Sequence, residues 1–229
     1  MIRLYYYPGP NPAKVALFLE EAGLPYEVTP VDIRKGDQHH PEFVAINPNA
    51  KAPALIDGDT VIFDSNAILL YMADKTGRFL SASGDAGRGQ LLSWLMFVAT
   101  GVGPYSGQAV HFKSYAPEPL PYAVNRYVYE TERHWRVVDA HLSQSRYLAG
   151  ETYTIADMAL WGWALALPFI VGEDAWARLP NAKRLIDEIS ARPAAVRARE
   201  LAHRHHYKAE MDADAHAHMF PQNGRLVDA

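Results

Sequence analysis

The sequence predicts a small α/β domain followed by an all-helical domain. Three observations carry this. Strand-like and helix-like apolar spacings alternate over the first third of the chain. From Gln90 onwards only helical periodicity is found. Between the two, Ser81-Ala82-Ser83-Gly84-Asp85-Ala86-Gly87 is small and polar throughout and reads as a linker.

Ile2 to Tyr7 is an apolar run of strand length, closed by Pro8-Gly9-Pro10. Val15 to Ala22 follows as a helix, with Val15, Phe18, Leu19 and Ala22 on one face. Tyr26 to Val31 is a second strand. Lys35 to Asn49 is polar and turn-rich, with a short helix over Pro41 to Ile46. Asp57-Gly58-Asp59 joins two short strands, Ala54 to Ile56 and Val61 to Phe63, as a hairpin. Asn66 to Thr76 closes the unit as a helix using Ile68, Leu69, Tyr71 and Met72. Helices are expected beyond the linker over Gln90 to Val102, Pro121 to Ser143, Ile155 to Pro168 and Ala182 to Ala191. The third of these is apolar nearly all round and should be buried.

Composition narrows the function. With 49% apolar residues in 229, a sizeable core is available. A net charge of -4 gives no nucleic-acid footprint. The chain has no cysteine, which excludes a disulfide framework, a Cys-rich zinc site and a protein thiol nucleophile. The first residues lack the pattern of a secretory signal, and no apolar run approaches the roughly 20 residues of a membrane span. A soluble cytoplasmic protein without membrane or nucleic-acid partners is expected. His203, His205, His206, His216 and His218 lie in a polar tail with Asp212 and Asp214. No spacing there matches a metal motif, so a solvated extension is expected and no metal site.

Three short motifs are candidates for chemistry. Lys51-Ala52-Pro53-Ala54 precedes a strand; a cis proline there would leave the Ala52 backbone free to pair with an extended ligand, though either isomer fits the sequence. Asp64-Ser65 opens a helix. Ser65 suits an N-cap, and the same helix start could hold a ligand carboxylate while Asp64 takes an ammonium. Thr154-Ile155-Ala156-Asp157 is a capping-box variant and reads as structural.

Taken together, the strand-turn-helix opening, Lys51-Ala52-Pro53, Asp64-Ser65 before Ala67-Ile68-Leu69, and Thr154-Ile155-Ala156-Asp157 resemble the cytosolic glutathione transferase superfamily. A narrower likeness is to its Nu-class bacterial members, known as glutathione-dependent disulfide-bond reductases. It rests on Tyr5 to Asn11 with Lys14, Leu17 to Ala22, Gly103-Pro104 with Gly107-Gln108 and His111-Phe112, and Pro121-Tyr122-Ala123 with Arg126-Tyr127 and Glu130-Thr131. The resemblance implies a thioredoxin-like domain over residues 1–80, a linker over 81–87, an all-helical domain over 88–205 and an unmatched His-rich extension over 206–229.

It also implies a site. The γ-glutamyl end of glutathione would lie at Asp64 and Ser65, the cysteinyl backbone at Ala52 beside cis Pro53, and the glycyl carboxylate near Lys51, Gln38 and His39. Asn11 or Tyr6 would stabilise the thiolate, since a free thiol titrates near about 8.5. Gly9 stands where the family carries threonine, so that hydroxyl is missing. Without a protein cysteine, disulfide reduction needs glutathione for both steps, and one or two molecules, or oxidised glutathione, would occupy the site. Arg133 would meet a carboxylate of the second. Tyr105, His111, Phe112 and Trp163 are candidates for the acceptor pocket. The implied protein is a homodimeric transferase acting on a small-molecule disulfide or electrophile, with modest conjugation or peroxidase activity; the alternative is a non-catalytic, glutathione-binding regulatory protein on the same fold.

Overall fold

The computed structural model describes residues 1–81 and 84–226. Ala82 and Ser83, in the expected linker, and residues 227–229 of the tail lie outside the described residues. The N-terminal unit runs β1 (Ile2–Tyr6), α1 (Pro10–Ala22), β2 (Tyr26–Pro30), α2 (Pro41–Ile46), β3 (Ala54–Asp57), β4 (Thr60–Phe63) and α3 (Ser65–Thr76). The four strands form one mixed sheet in the order β2-β1-β3-β4, with β1 parallel to β2 and the other pairs antiparallel. This is the thioredoxin-like arrangement that the sequence implied. Alternation along β1 sorts its side chains: Ile2, Leu4 and Tyr6 enter the main core, while Tyr5 packs with Phe43 of α2 on the opposite face.

Strand register gathers three sequence-distant segments at one end of this sheet. Tyr5 pairs with Ala54, and Ala54 pairs with Phe63. The loop after β1, the Ala52–Pro53 peptide and Asp64 therefore stand in a row on adjacent strands, about 4.8 Å apart. The Ala52–Pro53 bond is cis.

The helical domain comprises α4 (Asp85–Phe97), α5 (Gly103–Ser114), α6 (Pro121–Leu142), α7 (Ile155–Ala164), α8 (Leu167–Val171), α9 (Pro180–Ser190) and α10 (Pro193–Arg204), followed by α11 (Ala213–Met219). Four differences from the sequence reading have physical causes. Helix α4 starts at Asp85, so Ala86, Gly87 and Gly89 are helical despite their loop-like composition. Helix α5 went unread because Gly103, Pro104 and Gly107 look like breakers; Pro104 sits in its first turn, where a missing N–H costs nothing, and a π-helical turn over Val98–Val102 joins it to α4. Helix α7 ends at Ala164 rather than Pro168, because the proline ring clashes with the carbonyl four residues back. Helix α10, opened by Pro193, was also unread.

Helix α7 is buried along nearly its whole length, as its composition predicts. Asp157 holds its start: the carboxylate accepts from Leu148 N–H and Thr154 N–H, both at 2.8 Å, and from the Thr154 hydroxyl at 3.0 Å. Helix α1 packs against α7 and α10. Gly162 makes the first contact possible, since a Cβ there would lie 2.4 Å from the Pro10 carbonyl oxygen. Arg192, the N-cap of α10, pairs with Glu21, and Arg197 of α10 with Glu20. The C-terminal end of α1 is thereby fixed against the helical domain.

Candidate active site

The α1 N-terminus is unusual in its hydrogen-bond accounting. Its N-cap is Gly9, which has no side chain to cap with. Pro10 and Pro12 carry no N–H. The Ala13 N–H is taken by the Gly9 carbonyl at 3.1 Å. Asn11 thus supplies the one first-turn amide that finds no acceptor among the described residues, together with its side-chain amide. Pro12, which follows, adds no donor.

Asn11 lines a cavity of about 920 Å³ between the domains. Gly9, Gln38, His39, Lys51 and Ala52 line it too, so six of the expected residues converge. Its charge is one-sided. Arg34, Lys51 and Lys208, the last paired with Asp212 at 2.7 Å, contribute cations and His39, His203, His205 and His206 contribute imidazoles, with no carboxylate among the described lining residues. In a chain of net charge -4 that is a local reversal, suited to a ligand bearing carboxylates.

Tyr6 does not line this cavity. The β1 alternation turns its ring into the core, where it is 2% exposed and burial pushes its phenol up to about 12. Arg133 is also absent from the lining; it pairs with Glu130 on α6 at 2.9 Å and lies against His134. Asp64 and Ser65 stand at the same sheet end without lining the cavity. Asp64, not Ser65, is the N-cap of α3. Its Oδ1 accepts from Asn66 N–H at 2.8 Å and Ala67 N–H at 3.0 Å, at a backbone φ of 67° that is rare outside glycine. Ser65 is buried at the first helical position.

The tail departs most from expectation. It is not a loosely solvated extension. Residues 207–222 return over the N-terminal domain and build one wall of the cavity. Lys208 N–H donates to Asp32 at 2.7 Å, the Arg34 guanidinium donates to the Lys208 and Ala209 carbonyls, and the Tyr207 hydroxyl donates to the Tyr6 carbonyl at 3.3 Å. Gln38 and His39 both donate to the His218 carbonyl, at 2.9 and 2.8 Å.

Among the expected acceptor aromatics, Trp163 lines a smaller cleft of about 410 Å³ that shares Pro10 and Tyr115 with the main cavity. Tyr105 stacks on His134 and Phe112 on Tyr127, as ring packing within the helical domain. His111 meets Phe220 of the tail. Tyr115, Arg34, Tyr207 and Lys208 went unread. The first three sit in segments without periodicity or a motif, and Lys208 is one charge in a polar tail.

Lys14 was also missed as a buried group. It is 0% exposed, and its Nζ donates to Asn66 Oδ1 at 2.8 Å, joining α1 to the start of α3. Burial pulls its ammonium down to about 7, against the opposite pull of Asp64. Its spacing of three and four from Leu17 and Phe18 was the available signal, since all three fall on one apolar face.

Residues 1–74 match the family profile described as "Glutathione S-transferase, N-terminal domain", and residues 111–193 match "Glutathione S-transferase, C-terminal domain". Disulfide-bond oxidoreductase YfcG of Escherichia coli K12 is 42% identical over 212 residues, covering 86% of this chain and 94% of that protein. A glutathione transferase family member from Pseudomonas fluorescens, solved with two glutathione bound, superposes with a TM-score of 0.82 at 40% identity, covering 87% of this chain and 92% of its own. The Phanerochaete chrysosporium transferase URE2P6, solved with oxidized glutathione, gives 0.83 at 35%, covering 88% and 96%.

Proposed function

The chain belongs to the glutathione S-transferase family, and from that premise we propose that it is a glutathione-dependent disulfide-bond reductase. The observation that carries this is the cavity at the N-terminal end of α1: cationic and imidazole side chains, no carboxylate among the described lining residues, and the Asn11 donors. Glutathione brings two carboxylates, one ammonium and a thiol. Lys51 takes the glycyl carboxylate, the α3 start at Ser65 the γ-glutamyl carboxylate, Asp64 the ammonium, and the Ala52 backbone the cysteinyl unit. The exposed Asp64 carboxylate keeps its second oxygen for this purpose, because the helix cap uses only Oδ1.

Asn11 then holds the sulfur as thiolate through its backbone and side-chain N–H groups. The thiolate attacks one sulfur of the substrate disulfide, forming a mixed disulfide and expelling a thiolate that takes up a proton. A second glutathione thiolate attacks the glutathione sulfur of the mixed disulfide and releases the second substrate thiol. The balance is two glutathiones and one disulfide in, and oxidised glutathione and two thiols out. No protein sulfur takes part, as a chain without cysteine requires. The cytoplasm, with its reduced glutathione pool, is the matching compartment. Exposed Val61 and Phe63 on edge strand β4 support a homodimer.

The test is turnover of a small disulfide with glutathione, compared with conjugation of an aryl halide. Activity with the disulfide is expected to dominate. Inactivity with both, with glutathione still bound, would instead establish a binding protein.

A further inference from the structure

Gln38 has two amide hydrogens, and both are in use. One goes to the Ile33 carbonyl at 3.2 Å and the other to the His218 carbonyl at 2.9 Å. His39 gives its Nε2 hydrogen to the same His218 oxygen at 2.8 Å. A single carbonyl from the tail therefore takes the donors that a glycyl carboxylate would use. Lys51, which would bind that carboxylate with them, is exposed and has no ion-pair partner among the described residues.

We propose that the segment Ala209–Phe220 is an intramolecular competitor for the glycyl end of glutathione, its His218 carbonyl giving way when the tripeptide binds. The proposal rests on the glutathione reading above. Its hold on the rest of the protein is strong at the two ends and slight between them. At one end Arg34 and Asp32 bind the backbone of Lys208 and Ala209. At the other the Phe220 ring packs on His111 and Tyr115, at 4.9 and 5.2 Å between centroids. Between them α11 has seven residues, and only Ala215 is fully buried. The His218 ring fits against Gly36, where a Cβ would lie 2.6 Å from Nδ1. A short helix with one buried residue opens at small cost, while a carboxylate accepts charge-assisted hydrogen bonds that exceed those of a carbonyl. The exchange therefore runs toward the ligand, at reduced affinity.

Hydrogen exchange on the full chain tests this, with glutathione and γ-glutamylcysteine as paired probes. Glutathione is expected to speed amide exchange in α11, and γ-glutamylcysteine, which lacks the glycyl carboxylate, to leave it unchanged. Slower or unchanged exchange with glutathione bound overturns the proposal. Calorimetry with the full-length His218→Pro variant, whose ring cannot continue α11, is the second measurement. Glutathione is expected to bind about fivefold more tightly than to the parent chain, with γ-glutamylcysteine unaffected. Equal or weaker glutathione binding overturns the competition while leaving the site assignment standing. If neither probe binds either chain, the glutathione reading itself falls and the competition with it.

Discussion

The ammonium of Lys14 and the side-chain oxygen of Asn66 meet at 2.8 Å with no access to solvent at the lysine, linking the helix that carries Asn11 to the helix that Asp64 caps. A desolvated ammonium is costly to keep, and burial is the main reason that its pKa falls to about 7.

That cost has a pH signature. Unfolded, Lys14 keeps its proton up to the ordinary value of 10.5; folded, it gives the proton up near 7. The unfolded state binds more protons between those values, so this group makes stability rise with pH across that window and flat below it. Lys14→Met should remove the rise, on the order of 3 kcal/mol between pH 7 and 10. Urea midpoints of both chains at the two pH values check this; parallel pH profiles would mean that the ammonium is solvated.

Asn11 and Tyr6 are separable by mutation. Asn11→Ala removes the side-chain donor that faces the cavity, and should lower kcat/KM for a disulfide by about tenfold or more. It should also raise the pKa of the bound thiol, read by ultraviolet absorbance. Tyr6→Phe leaves the core packing in place and should change neither. The reverse pattern would move the thiolate site to the phenol.

Gly9 is open to repair. A Cβ there meets nothing nearer than Pro12 Cδ at 4.0 Å, in a backbone conformation that any residue adopts. Gly9→Thr should fold with a stability change within about 0.5 kcal/mol. The new hydroxyl adds a donor beside Asn11, so the bound thiol should ionise at lower pH than in the parent chain. An unchanged thiol titration would show that position 9 does not reach the sulfur.

Asp157 is a stability residue. Its side chain satisfies three buried donors at the start of α7. Asp157→Ala should destabilise the fold by about 3 kcal/mol in urea unfolding, while the folded fraction retains its glutathione affinity. A parallel loss of affinity in folded protein would tie this helix start to the site.

Much of this was legible in the sequence, for reasons that differ by element. The positions of the four strands and the first two helices followed from period and punctuation, because Ile2, Leu4, Phe18 and Leu19 obey local rules, whereas the sheet arrangement was implied only by the family resemblance. Asp157 was legible since a capping box is a local pattern. Helix α5 was not, because Gly103 and Pro104 carry a local signal opposite to their tertiary setting. The α3 cap lies one residue before the one read: Asp64 and Ser65 suit an N-cap about equally by type, and only the backbone shows that Asp64 occupies the non-helical position. The arrival of His218 at Gln38 joins residues 180 apart in sequence, and no spacing rule reaches that far.

The absence of carboxylates among the described lining residues has a consequence for throughput. In the proposed reaction, oxidised glutathione carries both donors' carboxylates on one molecule, so the positive wall that gathers the reactants would also retain the product. Release is then expected to be the slow step, and turnover to fall as oxidised glutathione accumulates. A catalyst built this way throttles itself by the redox balance of its surroundings.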